Sequence, residues 1–181
     1  MTLIEPERRA LLALLAAVAL GAVGAVAAPA ALATSASANL TAGSLAFVST
    51  PGSISFSATL NGTDQTISNP SAVDVGDATG SGAGWNITST STTFATAGNT
   101  HSLSTAATTL ATAPSDACDT GATCALATNS VTYPYALPAA TTAPTATKLY
   151  NAAANTGLGD QAVTPTWKLA IPANTFAGVY N

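Results

Sequence analysis

The run Val163-Thr164-Pro165-Thr166-Trp167-Lys168-Leu169-Ala170-Ile171 alternates from end to end. In an extended chain successive side chains project to opposite faces. Val163, Pro165, Trp167, Leu169 and Ile171 therefore share one face, and Thr164, Thr166, Lys168 and Ala170 the other. This predicts a half-buried strand, ended by Pro172. Ala173-Asn174-Thr175-Phe176-Ala177-Gly178 then reads as a turn leading into Val179-Tyr180.

The same period recurs upstream. Ile54, Phe56, Ala58 and Leu60 alternate with Ser55, Ser57 and Thr59 before the turn signal Asn61-Gly62, which predicts a strand with Ile54, Phe56 and Leu60 facing inward. Leu45-Ala46-Phe47-Val48 reads as a short apolar strand ended by Pro51-Gly52. Thr66-Ile67 and Val73-Asp74-Val75 read as two more, separated by Asn69-Pro70. A glycine-rich loop from Gly76 to Gly84 runs into Trp85-Asn86-Ile87-Thr88, where Trp85 and Ile87 point to one face. Val131 to Leu137 alternates again, but Pro134 has no N–H to give a ladder and confines that strand to an edge or bulge. Lys148 to Asn151 fits a short strand or a turn of helix. Ser89 to Thr128 is Thr/Ser/Ala-rich and reads as long connections with one or two edge strands, around Leu103. Many short strands, with turn signals between them and no helical period, predict an all-β chain folded as a single antiparallel sandwich.

Composition agrees. Hydrophobic residues make up 48% of the 181 residues, yet aromatics are 6% and charged residues 7%. Much of the apolar share is alanine, so the core must rest on Leu, Ile, Val and a few rings. Beyond the first segment the only cations are Lys148 and Lys168, too few to neutralise a run of phosphates, so nucleic acid is excluded as a partner.

That first segment has the form of an export leader. Arg8 and Arg9 precede an uncharged apolar stretch from Ala10 to Ala28, and Ala36-Ser37-Ala38 is a small-residue cleavage site, with Ala25-Val26-Ala27 a second choice. An uncleaved membrane helix is the alternative, but a stretch this rich in alanine partitions weakly into lipid. The expected division is a signal peptide at 1–38 and one domain at 39–181, secreted and with no membrane span once the signal is removed. Export suits the cysteines. Cys118 and Cys124 are the only two, spaced neither as a four-ligand zinc site nor as a redox C-x-x-C, and are expected to close a small surface loop by a disulfide. A loop this short implies a stabilisation of about 2 kcal/mol.

Candidates for chemistry are few. His101 is the sole histidine, in the loop Gly98-Asn99-Thr100-His101 without a neighbouring acid, and reads as a surface residue. No glutamate follows the leader, which removes a Glu-dependent glycosidase pair. No catalytic residue and no cofactor is expected. Asp74 and Asp77, beside the glycine loop, could offer hard oxygens to Ca²⁺. Their spacing matches no known calcium loop, and the favoured reading has Asp77 bonding the amides of its own turn. Trp85 and Trp167 could stack on sugars, but both run in phase with aliphatic neighbours, which favours core positions. Asn39-Leu40-Thr41, Asn61-Gly62-Thr63 and Asn86-Ile87-Thr88 match the glycosylation pattern, a match that arises easily in a Thr-rich chain.

Several runs taken together resemble the W-x-L domains of Gram-positive surface proteins. They are Leu45-Ala46-Phe47-Val48, Ile54-Ser55-Phe56, Val73-Asp74-Val75-Gly76-Asp77, and Gly82-Ala83-Gly84-Trp85-Asn86-Ile87. Trp85-Asn86-Ile87 stands where the family's first Trp-x-Leu lies, with Ile in the Leu position. Ile171 to Tyr180 is similar to the turn before the family's last strand. That strand, which generally carries a second Trp-x-Leu, has no counterpart here; Trp167-Lys168-Leu169 has the letters but precedes the turn. The resemblance implies a protein held non-covalently at the cell wall, binding peptidoglycan or partner surface proteins. A second expectation is a self-assembling subunit completed by a strand from a neighbour. A hydrolase acting on wall polymers is a third and weaker one.

Overall fold

The computed structural model describes residues 37–181, so the expected leader at 1–38 lies outside the described residues but for its last two positions. Leu40–Asn181 forms a compact unit. Its strands are β1 Leu45–Phe47, β2 Gln65–Pro70, β3 Val73–Asp77, β4 Trp85–Ser89, β5 Ser91–Thr92, β6 Thr108–Leu110, β7 Ser115–Cys118, β8 Tyr135–Ala136, β9 Ala139–Ala140, β10 Thr147–Ala152, β11 Gly159–Thr164 and β12 Thr166–Ile171. The only helical element among the described residues is a single 3-10 turn at Ala97–Asn99. The fold is an all-β sandwich. One four-stranded sheet has the order β1-β3-β11-β7 and the other β2-β12-β6-β8, with a β10-β4 pair and a short parallel β5-β9 pair beside them.

The alternating run that opened the sequence reading corrects its own interpretation. It is two strands in two different sheets, β11 and β12, divided at Pro165. Proline cannot donate the next ladder hydrogen bond, and its carbonyl instead accepts from the Ser71 amide at 3.0 Å. Ser71 lies in the short link between β2 and β3, so both partner strands cross between sheets at the same point. The pairing keeps one register throughout, from Asp77 opposite Gly159 and Val73 opposite Val163 to Thr166 opposite Pro70 and Ile171 opposite Gln65. One long antiparallel ribbon thus bends at Ser71 and Pro165 and contributes to both layers, the device by which a strand turns a sandwich corner. Because the bend preserves the alternation, Val163, Pro165, Trp167, Leu169 and Ile171 are all buried.

The main core gathers Val75, Trp85, Ile87, Leu110, Leu149, Tyr150, Val163 and Trp167. Trp85 and Ile87 share the inward face of β4 as predicted, and Trp85 Nε1 donates to the Gly157 carbonyl at 2.8 Å. Lys148 to Asn151 is strand rather than helix. A register shift between Lys148 and Tyr150 lets consecutive Leu149 and Tyr150 both point inward. The stretch from Val131 yields only β8, on a sheet edge, as Pro134 demands.

Two further expectations need correction. Leu103 is not in an edge strand; it is buried beside an isolated bridge between Ala95 and Ser102, and the nearest strand of that region, β6, lies inside a sheet between β12 and β8. The Ile54 to Leu60 stretch forms no strand ladder. It does run antiparallel to β2 at strand pitch. The Ser55 carbonyl accepts from Asn69 Nδ2 at 2.6 Å and the Thr59 carbonyl from Gln65 Nε2 at 3.0 Å, four residues of one chain matching four of the other. The ties are side chain to backbone because the segment lies over the inner face of β2 rather than beside its edge. Ile54 and Phe56 are half-buried as expected, but Leu60 is 38% exposed.

Candidate functional site

The residues singled out for chemistry do not converge. Asp74 and Asp77 are three apart on β3 and so project from opposite faces. Asp77 is buried, and its Oδ1 accepts from the Thr79 amide at 2.9 Å and the Thr79 hydroxyl at 2.6 Å. Asp74 accepts from the Ser49 hydroxyl. Among the described residues no group of three or more His, Cys, Asp or Glu side chains is placed to hold a metal. His101 is half-buried and stacks on Phe176, ring centres 4.0 Å apart and planes 15° from parallel. Its ring holds the C-terminal turn against the 97–101 loop. Trp85 and Trp167 are buried and offer no open ring face. Among the described residues no helix is long and apolar enough to cross a membrane.

Cys118 and Cys124 are joined, with Cα atoms 5.5 Å apart. The bridge closes the loop leaving β7, and beneath it lies a polar cluster with no signature in the sequence. Gln161 on β11 is fully buried. Its Oε1 accepts from the Ala127 amide at 3.1 Å, and its Nε2 donates to the carbonyls of Ala125 and Leu158. Asp116 Oδ2 accepts from the same Ala127 amide at 2.8 Å. These bonds pin an irregular segment, 125–127, whose backbone pairing is a single isolated bridge between Ala125 and Leu158. Burial pushes the Tyr150 hydroxyl well above the ordinary tyrosine range, and the Asp116 carboxylate near it pushes the same way. Burial raises Tyr133 as well. Each is an acid whose folded value exceeds its unfolded one, so it contributes fully below pH ~10 and that contribution fades as pH climbs above it. Urea midpoints measured across an alkaline series are therefore expected to hold steady up to about pH 10 and fall beyond it; in Tyr150→Phe the fall is expected to be shallower.

A large concavity lies elsewhere. A groove of about 790 Å³ is lined by the Ile54–Leu60 segment, by residues 175–181, and by Ile67 of β2 with Leu169 and Ile171 of β12. That volume is in the range of ligand-binding clefts, roughly 300–1,000 Å³. The lining contains no charged side chain; its polar members include Ser55, Ser57, Thr175 and Asn181. Phe56 meets Phe94 edge-on at 6.2 Å, and these rings with Ile67 and Tyr180 flank a second, smaller core of Leu103, Ala107, Leu169 and Ile171. That core is incompletely covered. Leu60, Phe176 and Val179 stand 38%, 62% and 76% exposed around it, a clustering of large apolar side chains that marks a binding surface more often than chance exposure does.

The sequence reading missed this groove. It had Ile54, Phe56 and Leu60 as inward-facing, which presumes a layer above them, and it treated Phe176 as part of a turn and Val179-Tyr180 as the stretch that the turn leads into. The available signal was the apolar content of Phe176, Val179 and Tyr180 within a stretch otherwise made of small and polar residues. Comparison with family models, with curated proteins and with solved structures finds no match for this chain.

Proposed function

We propose that this chain is an exported surface protein that binds rather than catalyses, held non-covalently at the cell wall through contact with another surface component, and that the apolar groove is its contact site. The observation that carries this reading is the groove itself: an uncharged cleft of about 790 Å³ whose rim exposes Leu60, Phe176 and Val179. The disulfide supports an oxidising compartment outside the cytoplasm. The Arg8-Arg9 leader supports export, and the resemblance of the Val73 to Ile87 region to W-x-L domains supports the wall as location. A groove without charge favours a protein partner over the anionic polymers of a wall, which would select cations.

The test is retention. Purified protein is incubated with Gram-positive walls that carry their surface proteins and with sacculi stripped of them. Retention on the first and release from the second is expected. Ile67→Asp, which sets a carboxylate on the groove's inner face, is expected to reduce retention about tenfold or more. Equal retention of Ile67→Asp and the parent, or no retention on either preparation, would remove the groove from consideration.

A further inference from the structure

Resting on the groove as the contact site, the backbone around it specifies what kind of partner it takes. Apart from strand ladders, the backbone–backbone hydrogen bonds among the described residues include none from residues 49 to 64. The segment from Ile54 to Leu60 belongs to no ladder either. Among the described residues its only outside hydrogen bonds are those of two carbonyls, of Ser55 and Thr59, caught by Asn69 and Gln65. In an extended chain the backbone polar groups of successive residues point to opposite sides. With Ser55 and Thr59 turned toward β2, the N–H and C=O of Phe56 and Ala58 turn the other way, where no described residue bonds to them. On the far side of the groove, Phe176 to Tyr180 is likewise outside any ladder; the Phe176 carbonyl accepts from the Tyr180 hydroxyl at 2.9 Å, and Asn181 forms a reciprocal backbone pair with Ala95 at 3.0 and 3.1 Å.

An unpaired strand-pitch edge beside an open apolar face is what a strand-adding peptide needs: backbone bonds supply affinity and alternate side chains supply selection. A flat apolar ligand would fill the volume but leave the edge unmatched. A charged peptide would find no charged side chain in the lining. We infer that the groove accepts an extended, uncharged segment of another polypeptide, which adds as a strand to the free edge of Ile54–Leu60 and seats every second side chain, apolar and β-branched, against the exposed apolar side chains of the rim, Leu60, Phe176 and Val179. Such an addition would cover the second core and extend the layer that stops over β2 and β12.

The test uses the purified protein and a blocked heptapeptide of alternating threonine and valine, alongside the same peptide methylated at every second amide nitrogen in either phase. Binding is read by calorimetry and by amide hydrogen exchange. The unmodified peptide is expected to bind and to slow exchange across Ile54–Leu60 by about tenfold, while at least one methylated phase fails to do either. Ala58→Pro removes an N–H that bonds to nothing in the free protein, so the thermal midpoint should stay within a few degrees while peptide affinity falls about tenfold. If all three peptides bind alike with exchange at 54–60 unchanged, strand addition is overturned although the groove still binds peptide. If no peptide binds, strand addition is overturned as well, and the wall-retention experiment with Ile67→Asp separately decides whether the groove is a contact site.

Discussion

Gly157→Ala is expected to destabilise the domain by about 3 kcal/mol or more, a large part of the roughly 5–15 kcal/mol available to a domain of this size. Two costs combine. Gly157 sits at φ +76°, in the left-handed region where a side chain costs about 1–2 kcal/mol. A Cβ there would also lie 2.6 Å from Trp85 Nε1 and against the Cβ of Ala152, and overpacking of this kind costs about 1–3 kcal/mol. Neither neighbour can step aside. Trp85 is fixed by its hydrogen bond to the Gly157 carbonyl and by Tyr150, whose ring centre is 6.1 Å away, and Ala152 is paired with Trp85 across β10 and β4. Gly80→Ala is the control. It has a similar backbone, φ +63°, but nothing within 4 Å of the added carbon, so only the conformational cost of about 1 kcal/mol is expected. Urea unfolding of the two variants, followed by tryptophan fluorescence, measures the difference. Equal losses would mean that the contact with Trp85 is not as tight as the geometry has it.

Trp167→Ala is expected to cost about 3–5 kcal/mol, the range for removing a large buried aromatic side chain. Trp167 is 6% exposed near the start of β12, between Asn69 of β2 and Leu110 of β6, and it joins Val163 in the main core just past the Pro165 bend. Its removal leaves a cavity where the two sheets diverge, and the bend gives the neighbouring strands little freedom to close it. The variant also separates the two roles open to this residue. A sugar-stacking tryptophan would lose ligand and keep its stability. A core tryptophan loses stability first, and thermal melting of the variant decides between them.

The phase of β4, β11 and β12 was legible residue by residue. Val163, Trp167, Leu169 and Ile171 are inward, as are Trp85 and Ile87, and Pro134 lies just before an edge strand. The disulfide followed from there being two cysteines with a spacing suited to a small loop. Pro165 was read as one more inward residue of a single strand, and that reading placed β11 and β12 in one sheet. Its position among alternating residues is the same whether the chain runs straight or bends; what differs is which strands lie alongside. Ile54 to Leu60 shows the converse. Its pattern is that of a strand, and its pitch beside β2 is that of a strand, yet it has no ladder. The polar cluster around Gln161 left no trace at all, because a glutamine gives no local sign of the distant carbonyls it will meet.

Local chemistry therefore determined which side of each segment turns from water, where turns and prolines interrupt, and that the chain folds as β-structure. A two-residue period is a property of consecutive residues and needs no partner to be read. Tertiary structure alone decided that one ribbon serves both sheets, and that the apolar side chains around Ile67, Leu169 and Ile171 remain partly uncovered. Whether an apolar face is covered depends on which remote segment arrives over it and whether its backbone finds a ladder, and that outcome is settled by long-range pairing free energies that no short stretch of residues contains.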